Sequence, residues 1–64
     1  MSKIRRGGYV FLAWKGDHGP AHVHVYRRER LVLKWDLEHR LPIAGHASRR
    51  LRRLIAELVA EGRL

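Results

Sequence analysis

The chain contains no cysteine, which excludes disulfide staples and thiolate metal sites and fits a reducing compartment. Acidic residues are almost as scarce: six Asp and Glu stand against fourteen Lys and Arg, for a formal net charge of +8. No apolar run is long enough for a membrane span, and the stretch after Lys3, Arg5 and Arg6 is too short and too aromatic for a signal peptide. These absences predict a soluble, unprocessed, cytoplasmic protein with no membrane partner. Repeats, low-complexity tracts and linkers are absent too, so the 64 residues make one domain. A chain of this length hides only about 60% of its unfolded surface. Support from a bound metal, a partner chain or self-association into a homo-oligomer is therefore expected.

The excess charge has a particular chemistry. Lys3, Lys15 and Lys34 are the only lysines, so arginine supplies the other cations. A guanidinium grips phosphate with two parallel hydrogen bonds and stacks on bases, which points to RNA or DNA, or to an acidic partner protein. A base composition that inflates arginine throughout a genome would give the same count without such a message.

Hydropathy patterning divides the chain into strands and one helix. Residues 1–6 read as a frayed basic arm and residues 7–64 as a single small α+β domain. Gly8 to Lys15 is rich in strand formers, Ala21 to Arg27 alternates, and Leu31 to Trp35 follows a tight charged turn at Arg28-Glu29. Glu38 to Ile43 suits a short edge strand, where Pro42 is tolerated. From Ala47 onward Leu51, Leu54, Ile55, Leu58 and Val59 recur at helical spacing, with Ser48 placed to cap the start and Gly62 to end it. The expected fold is a three- to four-stranded antiparallel meander covered on one face by a single C-terminal amphipathic helix. Leu31, Leu33 and Trp35 would share the covered face with Val23 and Val25. Val32 and Lys34 would share the opposite one with His22 and His24.

That helix begins with an electrostatic conflict. Arg49, Arg50, Arg52 and Arg53 crowd its first turn, where the macrodipole disfavours cations at about 0.3–1 kcal/mol each. A small domain does not need such a cluster to fold, and arginines at a helix N-terminus suit a phosphate or carboxylate. Tyr26 and Lys34 join them as candidates for nucleic-acid or partner contact.

Chemistry concentrates in Asp17-His18-Gly19-Pro20-Ala21-His22-Val23-His24-Val25. His22 and His24 leave a strand on the face opposite the valines, and the Gly19-Pro20 turn can fold Asp17 and His18 back towards them. Asp17, His18, His22 and His24 are thus candidate catalytic residues, and three accounts fit the pattern. Two imidazoles can share general base and general acid work on a phosphodiester without metal or cofactor, and the expectation for the site is that the histidines face a partner or substrate with no metal held between them. The same four groups could ligate a divalent ion such as Zn²⁺, although no Cys and no second histidine motif reinforces that account. In the structural account Asp17 caps the turn and the imidazoles bond backbone or face water. His39 and His46 stand alone and are expected to be exposed loop residues.

The run Asp17-His18-Gly19-Pro20-Ala21-His22-Val23-His24-Val25-Tyr26, then a charged turn, an apolar strand, Leu41-Pro42, a glycine and an arginine-led helix, resembles the small bacterial domain of unknown function 4160 family. Its hallmark is D-H-x-P-P-H-x-H-V, and the resemblance covers roughly residues 7 to 61. Asp17, His18, Pro20, His22 and His24 fall on motif positions. Similar proteins are encoded beside a small partner and are predicted components of toxin–antitoxin modules. The resemblance therefore implies a small toxin–antitoxin-type protein that acts on RNA as a ribonuclease-like toxin or binds it, with a small acidic partner protein encoded nearby. The alternative is a non-catalytic module that binds nucleic acid or an acidic partner. The chain departs from the family at Ala21, where a second proline is common, and it lacks the acidic, Trp-containing tail with which relatives continue.

Overall fold

A computed structural model describes residues 2–14 and 21–64, without the side chains of Ser2 and Trp14. Asp17 and His18 lie outside the described residues. The elements run β1 (Ser2–Arg6), β2 (Tyr9–Trp14), β3 (His22–Arg27), β4 (Arg30–Asp36), β5 (Leu41–Gly45) and α1 (Arg49–Ala60). The strands form one antiparallel sheet in the order β1-β2-β3-β4-β5, each beside its neighbour in the chain, and α1 closes one face. The α+β meander with a single helix is as expected, with five strands instead of three or four.

The added strand comes from the residues read as a frayed arm. Gly7 and Gly8 both adopt positive φ, 61° and 85°, which gives the two-residue primed turn that matches strand twist and folds residues 2–6 onto β2. Ile4 then falls opposite Phe11 and packs on the core. Arg6 grips the Glu61 carboxylate with both terminal nitrogens, at 2.5 and 2.8 Å, tying β1 to the end of α1. One apolar residue amid cations carries no periodicity, and the partner acid is 55 positions away, so the sequence gives no sign of this strand.

Pairing registers sort the residues by face. Ile4, Phe11, Val25, Leu33 and Gly45 form one cross-strand row, and Ala13, Val23, Trp35 and Pro42 the next. Leu51, Ile55 and Leu58 of α1 bury themselves on these rows, making a core with Phe11, Ala13, Val23, Val25, Leu33 and Trp35. Leu54 is half-buried against it. The helix ends as expected. Ser48 Oγ accepts from the Leu51 amide at 3.1 Å. Gly62, at φ 75°, donates to Val59 O, and Arg63 donates to Leu58 O, which together make a Schellman stop. Leu64 folds back and is buried.

Two bulges alter the expected faces. Between Val25↔Leu33 and Tyr26↔Leu31, β4 spends one extra residue, Val32. Leu31 is accordingly 49% exposed instead of joining the valines, and Val32 packs against the core cluster instead of joining the histidines. The second bulge inserts Ile43 into β5, leaving Leu41 and Ile43 exposed on the outer strand. Val59, expected in the helix stripe, is 47% exposed because the sheet reaches under only the Leu51-Ile55-Leu58 line.

The β3–β4 turn has positive φ at both central residues, like the β1–β2 turn, but builds it from Arg28 (φ 52°) and Glu29 (φ 64°). Left-handed backbone costs a side-chain-bearing residue roughly 1–2 kcal/mol, so this hairpin holds strain that Gly7-Gly8 does not.

Candidate functional site

With α1 covering the core face, no element among the described residues covers the other face of the sheet. The row Lys3–Leu12–His24–Lys34–Ala44 runs straight across it. Beside it lies Arg5–Val10–Tyr26, and on the other side Trp14–His22–Asp36–Leu41. Period-2 alternation along β3 thus sets His22, His24 and Tyr26 on one surface with Lys3, Arg5 and Lys34 around them.

The three rings form a ladder. His22 and His24 have centroids 5.3 Å apart at 45°, and His24 and Tyr26 are 6.5 Å apart at 58°. All three are half-buried. Burial holds His24 below the usual histidine range, helped by the Lys34 ammonium and then by His22. A neutral His24 near neutral pH can accept a proton. The expected proximity of His22 and His24 is therefore present, while the other half of the cluster, Asp17 and His18, lies outside the described residues. Among the described residues no three His, Cys, Asp or Glu side chains gather as a metal site would require.

The arginine cluster is elsewhere. Arg49, Arg50, Arg52 and Arg53 are all exposed, but they belong to the helix, on the opposite side of the sheet from His22 and His24. Two of them bond the protein itself. Arg50 donates to Gly7 O at 3.1 Å, and Arg52 donates to Ala47 O at 3.2 Å with its guanidinium 5.3 Å above the Trp35 ring. Those contacts explain how the first turn accepts cations with no acid beside them. A groove of about 450 Å³ runs between α1 and the β4–β5 connection, lined by Trp35, Leu37, Ile55 and Val59, with Arg40 and Arg52 as its charged residues.

Sequence patterning missed Lys3 and Arg5, because the strand that places them was read as an arm. It also missed the partner of His39. Asp36 Oδ1 accepts from the Glu38 and His39 amides, at 2.9 and 3.0 Å, and Oδ2 meets His39 Nδ1 at 2.9 Å. The spacing Asp-x-x-His after a strand was the available signal, an Asx turn with a ring folded onto it. This carboxylate lifts His39 above the usual histidine range, while the His39 amide first, and then its ring, hold Asp36 below the carboxylate range. His46 is exposed, as expected.

The two shifted imidazoles act on stability in opposite directions. His24, depressed in the folded state, favours folding when neutral, so its contribution falls as pH drops through the window just below the ordinary histidine pKa. His39, raised in the folded state, contributes fully below that pKa and loses its contribution as pH climbs through its own higher value. Titration of the ring Hε1 protons by NMR is expected to give a midpoint for His24 below, and for His39 above, that of a free histidine. His24→Gln should then remove part of the loss of melting temperature on acidification from pH 7 to 5. A His24 midpoint at or above that of free histidine would contradict the burial described.

Residues 7–63 match the family model for a domain of unknown function, DUF4160. The match spans nearly the whole chain, so the chain belongs to that family. No curated protein and no solved structure matches it.

Proposed function

We propose that this member of the DUF4160 family binds single-stranded RNA across the open face of its sheet. The observation that carries the reading is the His22-His24-Tyr26 ladder, three rings in succession on a surface that also holds Lys3, Arg5 and Lys34. Unstacked bases lie on such rings at about 1–3 kcal/mol each, whatever their identity, while neighbouring cations hold the backbone. A duplex offers no free base faces to the ladder.

The same pair suits a cut in the strand it binds. His24, held below the usual histidine range, would take the proton of a 2′-hydroxyl; Lys34 would offset the charge developing on the phosphate, and His22 would return a proton to the leaving oxygen. Such a step needs no metal or cofactor. It would make the chain a ribonuclease-like toxin, the role implied by the family's predicted place in toxin–antitoxin modules. The helix arginines, on the far side of the sheet, are not part of this step and would contribute only long-range attraction.

A second reading is favoured by the groove between α1 and the β4–β5 connection. Its apolar floor and its two arginines suit an acidic segment of a partner protein. Binding there would leave the open face of the sheet unchanged.

Titration of labelled oligo(U) and of a matched RNA duplex at several salt concentrations tests the main reading. The single strand is expected to bind the more tightly, with an affinity that falls with salt, and the His24→Ala/Tyr26→Ala variant should lose at least tenfold. An unchanged affinity in that variant would refute the sheet face as the site. Cleavage by the wild type with a bell-shaped pH profile, abolished in His24→Gln while binding persists, would establish the enzyme; binding without cleavage would establish the non-catalytic module.

A further inference from the structure

Beyond the ring face, we propose that the β3–β4 hairpin is a phosphate-binding site. Arg27, Arg28 and Arg30 line one recess of about 560 Å³, with Val32 as its apolar wall and no acidic residue in its lining. Three arginines around one recess concentrate positive charge that an anion would relieve, and a phosphate matches the fork of a guanidinium.

The backbone of this turn gives an independent reason. Arg28 and Glu29 hold the two positive-φ positions for which Asn-Gly or Gly-Gly is preferred. The β1–β2 turn at the same end of the sheet shows that this chain uses the relaxed solution elsewhere, in Gly7-Gly8. Side chains kept in strained backbone recur at ligand clamps, where the gain is a group held in place before the ligand arrives. Here the turn brings Arg28 into the recess between Arg27 and Arg30, which face each other in the last pair of the ladder. Arg27 is braced further, with its guanidinium 5.7 Å from the centroid of the Tyr9 ring. The turn thus sets the backbone from which these arginines project, and the Tyr9 ring lies beneath the Arg27 guanidinium.

Position adds the link to function. Arg27 follows Tyr26 in β3 but alternates to the helix side of the sheet with Val32, so a single strand stacked along His22, His24 and Tyr26 would reach the recess by passing over the end of the β3–β4 hairpin. The site extends the RNA reading without depending on it, since a small phosphoanion needs no ring face.

The test uses the whole chain and two probes, inorganic pyrophosphate and oligo(U). In amide NMR titrations pyrophosphate is expected to shift residues 27–31 first. The variant Arg28→Asn/Glu29→Gly should melt higher, by about 5 °C, because it relaxes the turn, and yet bind pyrophosphate at least threefold more weakly. Only a ligand site makes the more stable protein the weaker binder. Arg27→Gln/Arg30→Gln should abolish the shifts and, if the ligand is RNA backbone, lower the salt slope for oligo(U) by about two. Loss of pyrophosphate binding with an unchanged oligo(U) slope would assign the site to a free phosphoanion. Shifts centred on residues 48–53, or equal affinity for pyrophosphate in every variant, would overturn the proposal. Failure of oligo(U) to bind at all would remove the RNA reading and leave the pyrophosphate result standing.

Discussion

Leu58→Ala is expected to destabilise the domain by about 2–5 kcal/mol, enough to unfold most of the population of so small a protein. Leu58 has no exposed surface and sits where the helix line Leu51-Ile55-Leu58 meets the sheet. Its carbonyl also accepts the Arg63 amide in the helix stop, so the helix end and the core meet at one residue. The informative comparison is with its neighbour. Val59 belongs to the same apolar pattern but is 47% exposed, and Val59→Ala should change stability by less than about 0.5 kcal/mol. Urea unfolding of both variants measures the contrast. Similar costs at the two positions would show that the helix is rotated relative to the sheet, and that the assigned core face is wrong.

Gly45→Ala should cost about 2–5 kcal/mol, from left-handed backbone and steric overlap together. Gly45 has φ 83°, and a Cβ built on it would stand 2.4 Å from Val32 O and 3.1 Å from Leu33 Cα. Both obstacles are backbone atoms of β4 and cannot rotate aside. Relief would require β5 to separate from β4 near the Leu33↔Gly45 pair, beside the Val32 bulge. Gly62→Ala is the control. Its φ is also positive, at 75°, but nothing lies within 4 Å of its Cβ position, so only the conformational cost of about 1–2 kcal/mol applies. If thermal melts place the two variants within a degree of each other, the close approach of β5 to β4 is not as described.

The sequence by itself determined the class of fold, the helix with both its caps, the position of the charged hairpin and the exit of His22, His24 and Tyr26 from one side of β3. These are local consequences. Period-2 alternation and the i, i+3, i+4 stripe act over a few residues, and Ser48 and Gly62 satisfy the helix ends through bonds to their near neighbours. The tertiary structure decided what depends on pairing between distant residues. Strand β1 exists because Gly7-Gly8 turns it onto β2 and Glu61 meets Arg6, a contact no window of sequence contains. Bulges at Val32 and Ile43 follow from how three strands stay in register, and each moves an apolar residue off the face that alternation assigns to it. The helix arginines and the histidines, which sequence spacing left free to meet on one ligand, are separated by the sheet itself, because the helix must cover the apolar face and the histidines occupy the other.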